Sequence, residues 1–411
     1  MRGYLVAQSK TRIAGIVSLA RGAGPTVNRA DLDAEPWVVN CPNGVVDLRS
    51  GELLAHDANR LFTKQCAVPY VPGATHPDWT AALQAIPDET RGWLQARLGD
   101  ALIGRPPRDD LMMVLRGSGS NGKTTVMGAI MAALGDYATV APEALLLGAN
   151  AEHPTVLADL QGCRLVVVEE TSEGWQLDVG RLKRIVGTPV IKARKMREDY
   201  YEFAATHTMV INTNFMLMVA ETDHGTWRRL AEVRFPYTYK SGDDSLVSAD
   251  DRAGDIGLRD RIKDDATVLE AVLAWLVEGA LTSLPAVPSR VVNDTEAWRR
   301  SGDQTARFCH EHVVFEMGAE VDTAAVRTVF ATDQSMDGHH AWSEQTWKAR
   351  FEEHDLLRKH HVAKVRRRRK DGARPHVFTN MRLRTNDDED PDVDRVDRAP
   401  GFTSMRDDIA G

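Results

Sequence analysis

The spacing of apolar and polar positions changes several times along the chain. After a weakly patterned stretch to about residue 36, residues 40–52 read as two short strands joined by Gly and Asn turns. Residues 79–86 and 90–103 put Trp, Leu and Ala at three-to-four spacing and predict two helices, ended by the Gly104-Arg-Pro-Pro107 break. An apolar run from Leu111 predicts a strand, and residues 124–134 predict a helix. Two further apolar runs, 164–171 and 208–214, predict buried strands that finish in polar residues. Strands alternating with helices imply a mostly parallel sheet. Residues 237–255, rich in Ser, Gly and Asp, read as a loop, and 267–280 as an amphipathic helix carrying Trp275.

A composition shift after about residue 285 opens a further domain. There, residues 322–332 read as a short helix, and Ser343 as the cap of a second helix through Trp347 and Phe351. Residues 362–370, Asp371-Gly372 and 375–383 read as a basic hairpin, which completes a winged helix-turn-helix pattern.

The chemistry gathers where strands end. The strand from Leu111 runs into Gly117-Ser118-Gly119-Ser120-Asn121-Gly122-Lys123-Thr124-Thr125, a Gly-x-x-x-x-Gly-Lys-Thr loop opening a helix. Glycines let backbone N–H groups converge on phosphate oxygens, Lys123 reaches the β- and γ-phosphates, and the Thr124 hydroxyl coordinates Mg²⁺. ATP and Mg²⁺ are therefore the expected ligands. Hydrolysis also needs an acid at the metal and a group acting on water. Glu169 and Glu170 end a Val-Val-Val strand, the first placed near Mg²⁺ and the second to polarise water. Asn214 ends the next strong strand, where its amide reaches the water or the γ-phosphate. In Trp227-Arg228-Arg229, an arginine set against a neighbouring subunit's nucleotide would neutralise developing charge; a surface salt bridge is the alternative. Residues 183–197, with Lys192, Arg194, Lys195 and Arg197, are dense in cations around a Gly/Pro turn. Such a segment tracks a phosphate backbone or forms a solvated basic face.

Composition then narrows the class. At 411 residues, with 43% hydrophobic and 27% charged positions, the chain reads as a soluble protein of two or three domains. No run of about eighteen apolar residues and no leader pattern occurs, so no membrane association is expected and the cytoplasm is the expected location, that of the host cell if phage-encoded. Cys41, Cys66, Cys163 and Cys309 are far apart and read as reduced and structural rather than as zinc or disulfide partners. The net charge of −8 runs against nucleic-acid binding, yet residues 364–370 carry six cations in seven positions and 387–394 six anions in eight. Arg366, Arg367, Arg368 and Arg369 on the wing are candidate phosphate contacts, only some of which share a face, while the second helix is the candidate reader. A charged edge hairpin that resists aggregation is the alternative.

Taken together, these residues resemble the superfamily 3 helicases, most closely the phage and plasmid primase-helicase family that includes the phage P4 and poxvirus D5-type proteins. Residues 117–125 look like its Walker A, 166–170 its Walker B with paired acids, 183–197 its basic motif, and 211–214 followed by Gly225-Thr-Trp-Arg-Arg229 its Asn-ended strand and arginine element. Residues 43–51 are similar to its pre-helicase domain, and 298–312 resemble its segment after the ATPase. The resemblance implies a homo-hexameric AAA+-like ring with Asn214 as sensor, Arg228 or Arg229 as the finger in trans, and Lys192, Arg194 and Lys195 on a pore hairpin gripping single-stranded DNA. It also implies 3′ to 5′ movement. Thr188-Pro189 stand where many relatives have Gly-Asp. No zinc motif or pair of catalytic acids for a primase fold precedes residue 36. A member lacking the N-terminal primase domain is therefore expected, with primer synthesis left to a separate primase subunit or to residues ahead of a misplaced start.

The expected fold class is α/β. A small, mostly helical pre-helicase domain (1–105) precedes an AAA+-like P-loop ATPase core with a parallel sheet (106–285). A winged helix-turn-helix domain (286–385) and an acidic disordered tail (386–411) follow. The expected function is an ATP-dependent DNA helicase or translocase of phage or mobile-element replication, acting on single-stranded and forked DNA. The alternatives are an ATP-switched replication initiator or helicase loader, and a non-enzymatic assembly protein whose nucleotide site only stabilises a ring.

Overall fold

The computed structural model describes residues 9–23, 26–146, 154–169, 175–219, 224–240, 245–336, 342–368, 372, 374–385 and 388. They fall into two compact units, 1–296 and 297–411.

The first unit begins with the helix Lys10–Ala23, in a stretch where no element was expected; Ile13, Ile16 and Val17 recur at helical spacing on it but remain exposed. An antiparallel meander follows: β1 (Val38–Cys41), β2 (Gly44–Asp47) and the short β3 (Leu53–Leu54). The helices Pro77–Leu83 and Asp88–Asp100 come next, the first begun by a proline whose missing N–H costs nothing in a first turn.

The centre is a sheet of β4 (Met112–Arg116), β5 (Ala138–Ala141), β6 (Leu165–Glu169), β9 (Thr208–Thr213) and β10 (Leu230–Arg234), in the order β10-β4-β9-β6-β5 with every pair parallel. All six residues of β9 and the first four of β4 and β6 are buried, as strands covered on both faces require. Between β6 and β9, β7 (Val190–Ala193) and β8 (Tyr201–Ala204) form an antiparallel hairpin. Residues 237–255 are not wholly a loop, because β11 (Thr238–Lys240) and β12 (Asp251–Ala253) pair in parallel there.

The helix Ala266–Leu281 was expected to be amphipathic, but ten of its sixteen residues are buried. It packs on Asp88–Asp100 and on Lys123–Leu134. Glycines permit the approach. A Cβ on Gly99 would collide with the backbone of Ala280, and one on Gly279 with the carbonyl of Gln95. Trp79 and Trp275 meet edge to face in the same core.

The second unit holds the helices Gln304–His312, Thr323–Met336, Glu344–Trp347 and Asp355–Lys359 around Phe308, Phe330, Trp347, Phe351 and Phe378. Its strands are β13 (Val313–Val314), β14 (Glu320–Asp322), β15 (Lys364–Arg366), β16 (His376–Thr379) and β17 (Arg382–Leu383), with β13 paired to β17 and β14-β16-β15 antiparallel. The Ser343 hydroxyl accepts from Thr346 N at 3.1 Å, capping Glu344–Trp347, which continues as the π-helical turn Lys348–Glu352. The short helix expected over 322–332 runs on to Met336, and Asp355–Lys359 was not foreseen. Of the acidic tail, Asp388 is described; Arg382 grips its carboxylate at 2.6 and 2.7 Å.

Candidate functional site

The register of the sheet aligns the strand ends. Arg116 on β4 lies beside Thr213 on β9 and Arg234 on β10, and Glu169 on β6 beside Asn212 on β9. Because β9 runs between β4 and β6, the chain leaving it at Asn214 is flanked by the glycine loop on one side and by Glu169 on the other.

The loop 117–122 joins β4 to the helix Lys123–Leu134. Gly119, Ser120 and Gly122 all have left-handed backbones, with φ of 96°, 46° and 82°. Left-handed residues in close succession turn consecutive N–H groups into one concavity, an anion-binding arrangement. Space above Gly119 is open, whereas a Cβ on Gly117 would meet Asn121, so the loop is packed beneath and free above. Asn121 is buried, and its Oδ1 accepts from Lys123 N at 3.2 Å. Ser118 and Thr124 are exposed, and Thr125 is half-buried.

Lys123 is 3% exposed. Its Nζ donates to Asn214 Oδ1 at 2.8 Å and to Gly117 O at 3.0 Å, and no carboxylate pairs with it among the described residues. Burial and then the nearby Arg116 push its ammonium down to about 8. A buried cation held only by neutral oxygens, beside a loop with open space at Gly119, fits an anion such as a polyphosphate. Glu169 is half-buried at the end of β6 and makes no ion pair among the described residues, while Thr124 is exposed at the helix start. An oxygen-ligand set of that kind suits Mg²⁺. Glu170 lies outside the described residues.

The two arginines are held differently. Arg229 donates to Gly225 O at 2.6 Å and to Asp110 Oδ2 at 3.1 Å, whereas Arg228 is 44% exposed in its side chain and lies 3.6 Å from the same carboxylate. Lys192 stands on β7 opposite Glu202, and Arg194, Lys195 and Arg197 occupy the exposed turn beyond it. The Arg194 guanidinium and the Lys192 ammonium lie 5.1 and 5.6 Å from the centre of the Tyr200 ring. In the second unit, Arg366 and Arg368 are exposed, Arg367 is tied to Glu320 at 2.7 Å, and Arg369 lies outside the described residues.

Three participants escaped sequence reasoning. Asp110 joins both arginines. Glu232, fully buried on β10, accepts from Arg116. Tyr239 on β11 donates its N–H to Ser120 O at 2.8 Å. A lone acid in the apolar run 230–233 was a usable signal for Glu232; the other two contacts carry none.

A parallel α/β sheet with its polar residues gathered in the crevice outside the strand ends defines the class to which this protein belongs. Residues 5–86 match the family described as D5 N terminal like, and residues 115–229 match a family of unknown function, DUF5906. The "Putative primase C962R" of African swine fever virus is 29% identical over 308 residues, covering 70% of this chain and 32% of that protein. The "Putative helicase L207/L206" of Acanthamoeba polyphaga mimivirus is 25% identical over 214 residues, covering 50% and 22%. The "Putative helicase 184R" of Invertebrate iridescent virus 6 is 21% identical over 313 residues, covering 68% and 32%. These matches make parts of the chain similar to the D5 N-terminal family and to viral primase and helicase proteins. It spans about a third of the length of the African swine fever virus relative. The apo NrS-1 C-terminal region aligns with 90% of each chain at a TM-score of 0.46 and 12% identity. No helix among the described residues is long and apolar enough to cross a membrane.

Proposed function

We propose that the chain is an ATP-dependent DNA helicase or translocase of phage or mobile-element replication, working as one subunit of a homo-hexameric ring. The observation that carries this reading is the contact of buried Lys123 with Asn214, at strand ends that also deliver Glu169. Residues 117–125 then form the P-loop of an AAA+-like core at 106–285, with their amides and Lys123 on the phosphates of ATP. Mg²⁺ held through Thr124 and Glu169 would neutralise charge on the β- and γ-phosphates. Glu170 polarises the attacking water and Asn214 orients it. Arg228 is the better candidate for the finger in trans, since Arg229 is bound to its own chain.

On this reading, residues 1–105 precede the core, and the hairpin β7–β8 grips single-stranded DNA through Lys192, Arg194 and Lys195. Residues 286–385 act as a winged helix-turn-helix, with Arg366 and Arg368 on phosphates, and 386–411 as an acidic tail. The names of the viral relatives, a primase and two helicases, support a replication role. The test is hydrolysis of ATP with and without single-stranded DNA, alongside strand displacement from forks with only a 3′ or only a 5′ tail. DNA-stimulated hydrolysis with 3′-tail-dependent displacement is expected. Hydrolysis without displacement would replace this reading with the initiator or loader, and no hydrolysis would remove it.

A further inference from the structure

Asp110 stands just before β4, and its carboxylate faces two segments that are distant in the chain. Its Oδ2 accepts a hydrogen bond from Arg229 at 3.1 Å and lies 3.6 Å from the Arg228 guanidinium. A Cβ built on Gly187, which ends the helix Val179–Val186 ahead of the β7–β8 hairpin, would lie 3.6 Å from the same oxygen. The backbone holds this carboxylate in place. Asp110 has a φ of 55°, a left-handed conformation that Asp and Asn tolerate better than other residues with a side chain. Its N–H donates to Pro107 O at 3.1 Å. The neighbouring Asp109 is gripped by the buried Arg97 and accepts from Leu111 N at 3.2 Å, so both sides of the turn are tied down.

The two arginines on this carboxylate are not held equally. Arg229 has a second hydrogen bond, to Gly225 O at 2.6 Å, and is mostly buried. Arg228 is exposed and lies beyond hydrogen-bond reach, and an exposed ion pair of that kind contributes little stability. One carboxylate balances one cation, so a positive charge is left over. Arg228 is thus directed by Asp110 without being neutralised. A phosphate can draw it away at little cost while Arg229 stays on the carboxylate.

We propose that Asp110 is a positioning residue for Arg228, orienting the guanidinium toward the nucleotide phosphates of a neighbouring subunit. Arg229 fixes the carboxylate for that purpose. A long side chain that is already oriented loses less freedom when it engages the phosphate, and the gain appears in the rate and not in nucleotide binding. The inference rests on the proposed action of Arg228 in trans.

Steady-state ATP hydrolysis by the full chain with saturating single-stranded DNA tests this in wild type, Asp110→Asn, Arg228→Ala and the double variant, with melting temperatures as the check on folding. Asn tolerates the left-handed backbone and removes the charge; Asp110→Gly, which adopts this φ without steric cost, repeats the test if the Asn variant does not fold. Asp110→Asn is expected to lower kcat about tenfold and to leave KM for ATP within twofold of wild type. In the Arg228→Ala background it is expected to lower kcat by less than twofold further, since the residue through which it acts is gone. A merely structural role through Arg229 would multiply the two losses. Wild-type kcat in folded Asp110→Asn, or multiplied losses in the double variant, overturns the positioning role and leaves the arginine in trans standing. Wild-type kcat in Arg228→Ala, or no hydrolysis by the wild type, removes the arginine's role and the positioning role with it.

Discussion

Glu232, fully buried on β10, accepts a hydrogen bond from the guanidinium of Arg116, the last residue of β4 before the glycine loop. Burial holds the Glu232 carboxyl above its ordinary range although Arg116 opposes this. The pair thus adds little net stability, but each partner depends on the other. Glu232→Met should cost about 3–5 kcal/mol, because it strands a guanidinium in the sheet, whereas Arg116→Met with Glu232→Met should recover most of that loss. Urea unfolding of Glu232→Met, Arg116→Met and the double variant decides it; additive losses would show that the two residues do not act as a pair.

Lys123 is a buried cation with no carboxylate partner among the described residues, and this has opposite consequences for folding and binding. Lys123→Met should abolish nucleotide binding and hydrolysis while raising stability by about 1 kcal/mol, since the desolvated charge is gone. The ammonium in the free protein loses its proton near pH 8. Below that pH it is charged and attracts phosphate; above it, affinity should fall by up to tenfold per pH unit, until the higher pKa of the complex is reached. Affinity that stays flat from pH 7 to 9.5 would contradict a role for this side chain at the phosphates.

His207 precedes β9 with both ring nitrogens buried and without a hydrogen-bond partner among the described residues, and burial pulls its imidazole down to about 4. The unfolded chain binds this proton near the ordinary value of about 6.5 and the folded chain does not, so stability is lost as pH falls through that window. The loss by pH 4 should be about 3 kcal/mol. His207→Phe should flatten the acid limb of the stability profile in this range, and an unchanged slope would show that the ring finds a proton acceptor.

The strands of the sheet were legible because parallel strands covered on both faces are continuous apolar runs, as at β4, β6 and β9. Their ends were legible because each run stops at a charged or amide residue. Much of the remainder depends on partners distant in sequence. Asp110 meets Arg228 and Arg229 across more than a hundred residues, and β11 pairs with β12 through so few residues that Ser, Gly and Asp dominate the local composition. The helix Ala266–Leu281 is buried on nearly all sides because glycine faces backbone at Gly99 and Gly279, a property of two positions that no periodicity carries.

The contrast between the arginines gives a separable pair of outcomes. Arg229→Ala removes hydrogen bonds to Asp110 and Gly225 and should destabilise the first unit by about 1–3 kcal/mol. Arg228→Ala should leave the melting temperature unchanged and lower DNA-stimulated hydrolysis on the order of 10³-fold. Mixing Arg228→Ala with Lys123→Ala chains should restore part of the activity, because an arginine acting in trans meets an intact lysine on its neighbour. No recovery in a verified mixed assembly would place the arginine's action within its own subunit.

Lys192, Arg194 and Lys195 are exposed on one hairpin, with Tyr200 beside two of them, a combination suited to phosphates and stacked bases. If two of these cations sit on the strand, Lys192→Ala with Lys195→Ala should lower the salt slope of log K for single-stranded DNA by about 1.4, since each neutralised phosphate contributes about 0.7. Affinity at low salt should fall correspondingly, while hydrolysis measured without DNA stays at the wild-type rate, because both side chains are exposed and neither contacts Lys123 among the described residues. Fluorescence anisotropy over a range of salt concentrations measures the slope. An unchanged slope with wild-type affinity would assign the hairpin's charge to a solvated face and move the DNA contact elsewhere.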